Sequence, residues 1–301
     1  MRLGIGTVQF GLDYGISNAA GKTPRAEVGR ILACAGRHGI DLLDTAALYG
    51  DSEAALGASL PAGERWRIVT KTPVFPAAAH ITAIEADELR RSFAGSLERL
   101  GQSRLYGLLL HAPADLLKPG GERLWQTMLA LKASGAVEKI GYSVYGPADL
   151  RALLADFRPD LVQVPLSALD QRLLRDGRLA GLKRLGVEVH ARSVFLQGLL
   201  LMEPAQLPAA LQGRRELTRY AAFLAAHGLG RIEGALQFIR SVASVDVALV
   251  GVAWREQLEQ CVDAFRPPTG ALPDFAQVAC DDERLLNPAT WPAQWRPGGT
   301  A

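Results

Sequence analysis

Ile40-Asp41-Leu42-Leu43-Asp44-Thr45-Ala46-Ala47-Leu48-Tyr49-Gly50 runs from a short apolar stretch into an acid and then into a tyrosine followed by glycine. Residues Ile40 to Asp44 have the length and apolar content of a buried strand, and Asp44 ends it. Working outward from this stretch, the same kind of run recurs at Leu3 to Thr7, Ile68 to Lys71, Leu105 to His111, Ile140 to Ser143, Leu161 to Val164, Val187 to Ser193 and Val245 to Val250. Between these runs lie segments of helical spacing: Arg25 to Arg37, Glu85 to Leu100, Gly121 to Ser134, Pro147 to Phe157, Gly177 to Leu185, Leu217 to His227 and Arg255 to Phe265. Pro24 and Pro147 suit a first helical turn, and Gly101, Gly135 and Gly228 suit the residue just past a helix end.

Eight strands alternating with helices allow either a closed parallel barrel or a doubly wound open sheet. The polar residues that interrupt the apolar runs decide between them. Asp44, Lys71, His111, Ser143 and Gln163 all fall at or near the C-terminal ends of strand candidates, and in a βα barrel those ends share the face where catalytic groups collect. Taken singly, Asp44 reads as a helix cap and Lys71 as a solvated strand end; their convergence favours chemistry. No G-x-G-x-x-G follows the first strand, which argues against a Rossmann domain, and no self-similar repeat suggests a solenoid. The expectation is an α/β protein with a (β/α)8 TIM barrel over residues 1–270. A C-terminal extension, 271–301, would bring Phe275, Trp291 and Trp295 to or near the barrel mouth.

Composition supports one well-filled domain. Of 301 residues, 49% are hydrophobic, enough for a sizeable core. Acids and bases are intermixed at a net charge of +2, and no basic run with interleaved aromatics marks a nucleic-acid face. Cys34, Cys261 and Cys280 form neither a CxxC pair nor an even disulfide framework, which fits a reducing cytoplasm. The opening MRLGIGTVQF is too short an apolar stretch for a signal or membrane segment. A cytoplasmic monomer or weak homo-oligomer, with no membrane or nucleic-acid partner and no metal, is therefore expected.

Asp44-Thr45-Ala46-Ala47-Leu48-Tyr49-Gly50, followed by Ser52-Glu53 and Leu56-Gly57 and then by Lys71 and His111 at strand ends, resembles the aldo-keto reductase superfamily. The resemblance runs from Gly4-Ile5-Gly6-Thr7 to about Cys261. It implies a catalytic tetrad of Asp44, Tyr49, Lys71 and His111 and a bound nicotinamide cofactor. A carbonyl accepting hydride develops alkoxide character and needs a donor that can surrender its proton; Tyr49 would be that donor. A phenol with a pKa of about 10 is a reluctant acid at neutral pH, and a nearby cation such as Lys71 would lower it. Asp44 would hold Lys71, and His111 would orient the substrate oxygen or share its proton. His38, His80, His190 and His227 lie on helix ends, loops or inside a strand and are given no catalytic role.

The resemblance also implies a cofactor path. Gly6 and Thr7 would border the nicotinamide, and Ser143 and Gln163 would hydrogen-bond its carboxamide, although ordinary capping of strand ends explains both as well. Ser193 and Phe195-Leu196-Gln197-Gly198-Leu199 would follow the pyrophosphate, where glycine lets main-chain N–H groups approach. Gly251, Arg255, Gln257 and Gln260 would lie along the adenosine, with Arg255 available to a 2′-phosphate; NADPH is expected, with NADH possible. Three positions depart from the family pattern. Trp254 stands where a basic residue is common, Gln260-Cys261 replaces an acid-amide pair, and Arg192 takes the place of the aromatic that stacks on the nicotinamide. Arg192 reads either as a planar stacking group that contacts a polar substrate or as an ion-paired strand end. Gln9, Phe10, Tyr14, Val74, Phe75 and Tyr145 would shape a pocket for a small aldehyde, ketone or sugar. Two rival functions remain open: an epimerase or isomerase that transiently oxidises bound cofactor, and a non-catalytic subunit that senses nicotinamide redox state.

Overall fold

The apolar runs become eight parallel strands in a computed structural model that describes residues 1–61, 66–292 and 295. They are β1 (Arg2–Gly6), β2 (Leu42–Asp44), β3 (Arg67–Lys71), β4 (Leu105–Leu110), β5 (Val137–Ser143), β6 (Leu161–Pro165), β7 (Glu188–Arg192) and β8 (Val247–Gly251). Each strand pairs with the next, and β8 closes on β1 with Arg2 opposite Val247 and Gly6 opposite Gly251. The expected (β/α)8 barrel is thus the observed one, and closure leaves no open edge.

Helices cover the strands because their apolar stripes have the matching 3.6-residue period. In Arg25–Arg37, Val28, Ile31, Leu32 and Ala35 are buried in the layer between strands and helices. Ala83–Leu100 starts at a capping box, in which Thr82 accepts from the Ile84 N–H and Glu85 accepts from the Thr82 N–H, and it stops at left-handed Gly101. Arg231–Ser241 is a helix that the sequence pattern did not single out. Its Gly234 obscures the pattern, since glycine is a poor helix former. A Cβ there would lie 2.2 Å from Leu224 Cδ2, so the glycine serves a close approach between this helix and Arg215–Ala226.

Inside the barrel, Leu42, Val247 and Leu249 form one apolar cluster and Val69, Leu109 and Leu161 another. These side chains make a floor. Because strand side chains alternate with a period of two, the residue two positions further along each strand points to the same interior, one layer nearer the C-terminal mouth. Beyond the main barrel, Phe275, Val278, Cys280, Leu285, Leu286 and Trp291 are buried against the outer core, and the Trp291 indole donates to Leu285 O at 3.0 Å. Residues 293–294 and 296–301 of the expected extension lie outside the described residues. Among the described residues, no helix is long and apolar enough to cross a membrane.

Candidate active site

The two-residue step carries Leu42 to Asp44, Val69 to Lys71, Leu109 to His111 and Leu161 to Gln163, and so lays a polar tier over the apolar floor. Lys71 is 2% exposed, and its Nζ donates to both Asp44 carboxylate oxygens at 2.8 Å and to Thr45 O at 2.9 Å. The Gln163 amide donates to Asp44 Oδ1 at 2.7 Å, so this residue braces the acid from β6. Burial pulls the Lys71 amine below its ordinary range while Asp44 pulls it back up. The ammonium also lies 5.1 Å from the centroid of the Tyr49 ring, close enough for a cation–π attraction.

Tyr49 and His111 meet edge to face, with ring centroids 5.8 Å apart. Burial pushes the Tyr49 phenol well above its ordinary pKa, the Asp44 carboxylate adds to this, and the Arg192 guanidinium opposes it. The expected lowering by Lys71 is not what dominates here, because that ammonium is committed to Asp44. His111 moves the other way: burial, then the Lys71 charge, hold its imidazole down at about 4. At neutral pH the site therefore presents a protonated phenol beside an uncharged imidazole, and His111 Nδ1 is buried without a hydrogen-bond partner.

The loop carrying Tyr49 is positioned by close backbone contact. A Cβ on Gly11 would fall 1.7 Å from Tyr49 O, and one on Gly50, whose φ is 56°, would fall 2.4 Å from Gly11 O. Only glycine fits either place without displacing main chain. Ser52 then ties the loop to β1: its hydroxyl donates to Thr7 O at 2.8 Å, and its oxygen lies 2.8 Å from Thr7 Oγ1 and 3.1 Å from Thr45 Oγ1. Glu53 is buried, accepting from Thr70 at 2.6 Å and from Arg99 at 2.9 and 2.7 Å. Ser52-Glu53 thus anchors the frame that aims Tyr49.

Asp44, Tyr49 and His111 open into a cleft of about 980 Å³, while Lys71 sits beneath its surface. Of the residues expected along a cofactor, Gly6, Thr7, Ser143, Gln163, Arg192, Ser193, Phe195, Gln197, Gly198, Gly251, Gln257 and Gln260 line this cleft. Leu196 and Leu199 are 1% exposed and face the core instead, and Arg255 is turned away from the cleft. Ser193, Leu196 and Gln197 have positive φ of 59°, 48° and 55°. Such left-handed turns can aim successive peptide N–H groups to one side, as anion-binding loops do. Of the residues expected to shape a substrate pocket, Gln9, Tyr14 and Tyr145 line the cleft, Phe10 is buried, and Val74 and Phe75 do not line it. Desolvation pushes the Tyr14 phenol up to about 12.

Arg192 reaches Ser143 Oγ at 3.3 Å, Ser193 Oγ at 3.1 Å and Val144 O at 2.9 Å, and its guanidinium lies 4.7 Å from the Tyr145 ring centroid. None of these partners is an acid. The sequence reading missed the loop around Asp13, Ser17 and Asn18, together with Ile232, Asn287 and Pro288, all of which line the cleft. No local signal marks them, since only the closed barrel brings chain positions so far apart to one mouth.

No curated protein matches the sequence. Among solved structures, PA4992 of Pseudomonas aeruginosa, assigned to the aldo-keto reductases, shares 24% identity over 87% of this chain and 89% of its own, with a TM-score of 0.63. The aldo-keto reductase AKR11C1 of Bacillus halodurans, solved in its holo form, shares 19% identity over 97% of this chain and 94% of its own, with a TM-score of 0.72. At these identities the likeness bears on the fold. The sequence profile of the Aldo/keto reductase family matches residues 2–269, and on that match the chain belongs to the aldo/keto reductase family, whose members are oxidoreductases that use nicotinamide cofactors.

Proposed function

We propose that this chain interconverts an aldehyde, ketone or sugar carbonyl with its alcohol, using Tyr49 as the general acid/base above the Lys71–Asp44 pair. The observation that carries this reading is the convergence of Tyr49, His111 and a buried, doubly bonded Lys71–Asp44 pair at one cleft. The cleft also has the features a dinucleotide requires. Its volume of about 980 Å³ is at the upper end of ligand pockets, roughly 300–1,000 Å³. Gln9 Oε1 and His111 Nδ1 are buried beside it without partners, and the Ser193–Gly198 turn supplies a left-handed backbone. A nicotinamide held there would supply or accept the hydride.

The protein's own part is to hold and move a proton. In the reducing direction the raised pKa of Tyr49 keeps its hydroxyl protonated and ready to donate to the developing alkoxide. Neutral His111, across the ring edge, has an imidazole nitrogen free to bond the same oxygen. Asp44 holds the Lys71 ammonium 5.1 Å from the centre of the tyrosine ring, and Gln163 keeps the Asp44 carboxylate oriented. Gly6, Thr7, Ser143 and Gln163 would border the nicotinamide, with Ser193, Phe195, Gln197 and Gly198 along the pyrophosphate and Gly251, Gln257 and Gln260 along the adenosine. Arg192, bonded only to neutral groups, favours a carbonyl substrate that bears a polar or anionic group. Residues 1–270 form the catalytic barrel in this reading, and 271–301 an extension that reaches the cleft through Asn287 and Pro288.

Stopped-flow oxidation of bound reduced cofactor by a panel of carbonyls tests the assignment. Tyr49→Phe should slow the hydride step by roughly 10²–10⁴-fold while leaving cofactor binding intact. Equal rates in the two proteins would sink it.

A further inference from the structure

The helix Arg255–Ala264 follows β8, and its first turn walls the cleft through Trp254 and Gln257. The start of a helix ordinarily offers an anion free N–H groups and the positive end of the helix dipole. Here the Ala253, Trp254 and Arg255 N–H groups are already taken. Gln257 Oε1 accepts from Ala253 N at 2.8 Å and from Trp254 N at 3.3 Å, and Glu27 Oε1 accepts from Arg255 N at 2.7 Å. Glu27 comes from the helix Arg25–Arg37 and is only 3% exposed; its other oxygen holds Arg30 at 2.6 Å. The side chain of Arg255 points to Glu256 at 2.8 Å and to Glu259 at 3.7 Å. Three carboxylates therefore surround this turn, and the two guanidinium groups among them are both engaged.

We propose that this corner rejects a 2′-phosphate, so that the chain selects NADH over NADPH, with Glu27 and Gln257 as the specificity-determining residues. The inference rests on the reading that the cleft binds a nicotinamide dinucleotide. A phosphate dianion at this turn must displace the buried Glu27 carboxylate from a charge-assisted hydrogen bond or remain beside it, and a like charge next to a buried carboxylate is poorly screened and repels. Arg255 could turn toward a phosphate only by leaving Glu256 and Glu259, and the Glu27 charge would stay behind. A ribose hydroxyl carries no charge and needs no counter-ion. The arrangement suits that group.

Equilibrium binding tests the inference without turnover. Trp254 lies on the cleft wall, so quenching of tryptophan fluorescence reports NADH and NADPH binding, and calorimetry provides a second reading. The wild type should bind NADH at least tenfold more tightly than NADPH. Glu27→Gln keeps an acceptor for the Arg255 N–H but removes the charge, and it should narrow that ratio chiefly by strengthening NADPH binding. Arg255→Ala should leave the NADPH affinity within about twofold of wild type. NADPH binding as tightly as NADH, or lost selectively in Arg255→Ala, overturns the inference while leaving the dinucleotide site intact. Binding of neither dinucleotide overturns that site and the inference with it.

Discussion

The two ends of the barrel both bury charge, and they use it in opposite ways. At the N-terminal end Glu188 is surrounded by donors: the Tyr106 hydroxyl donates at 2.6 Å, Lys139 donates to the same oxygen, and Arg2 at 3.3 Å and His190 at 2.9 Å meet the other. Burial would raise the Glu188 carboxyl, but hydrogen bonds from His190, Lys139 and Tyr106 overcome it and hold the group well below the usual carboxylate range. Arg67 and Lys139 also lie near the Tyr106 ring, at 5.7 and 4.9 Å from its centroid. At the C-terminal end Lys71 and Asp44 satisfy each other, yet the layer above them is left unsettled. Tyr49 and His111 are driven away from their ordinary pKa values in opposite directions, and His111 Nδ1 has no partner. One end resolves its charges inward; the other leaves donors and acceptors directed at a cleft. That asymmetry is the physical form of the barrel rule that stability resides at one end and chemistry at the other.

The sharpest way to break the comparison is to remove the cation at the catalytic end. Lys71→Met should lower the rate of the hydride step by on the order of 10²-fold or more and should destabilise the fold by about 3 kcal/mol, because Asp44 is left buried without its counter-charge. Adding Asp44→Asn removes that charge as well. The double variant should regain much of the stability, measured by urea unfolding, and none of the rate. If stability and rate recover together, the pair acts as a support and not as part of the chemistry. The matching change at the other end, Glu188→Ala, strands Lys139 and His190 and should also cost about 3 kcal/mol, with turnover per folded molecule unchanged. A loss of turnover at a temperature where the variant is fully folded would mean that the ends are coupled through the barrel.

The same asymmetry explains how much of the molecule was legible in its residues. Several strands were legible because a polar residue stands at or near the mouth end of an apolar run; Leu42 and Asp44, or Val69 and Lys71, read as floor and polar layer once the two-residue period is applied. The proposed catalytic residues stood out because an acid, a lysine and a histidine occur together at strand ends, with a tyrosine just beyond, in the pattern of the family motif. Boundaries drifted by a few residues: Ile40 and Asp41 precede β2, and β5 begins at Val137, three residues before the expected Ile140. What local pattern could not supply is the choice of partner. Gln163 spends its amide N–H on Asp44, 119 positions away, and Arg255 surrenders its N–H to Glu27, 228 positions away. The helix Arg231–Ser241 escaped because Gly234 and Gln237 both lie on its buried face, where helical spacing calls for apolar side chains. Closure of the barrel decides such contacts, and nothing in their neighbouring sequence announces them.

Acid titration offers the finest separation of the two ends, because their depressed groups lose stability over different pH ranges. His111 has an ordinary value of 6.5 and is held at about 4 in the folded protein, so the folded state resists protonation. Its contribution is complete above pH 6.5, falls as the unfolded chain takes up a proton below that, and levels off once the folded protein also protonates near pH 4. A shift of that size corresponds to roughly 3 kcal/mol. Glu188 is also depressed, from an ordinary 4.5, so its contribution persists through the whole His111 range and declines only below about pH 4.5. Urea unfolding of the apo-protein should therefore lose stability in two stages, first at the mouth and then at the base. His111→Asn should flatten the stage between pH 6.5 and 4 and spare the one below it; Glu188→Gln should do the reverse. A ring-nitrogen NMR titration that found His111 protonating near 6.5 would show that the mouth does not hold it neutral, and would remove the uncharged imidazole that the proposed proton transfer places beside Tyr49.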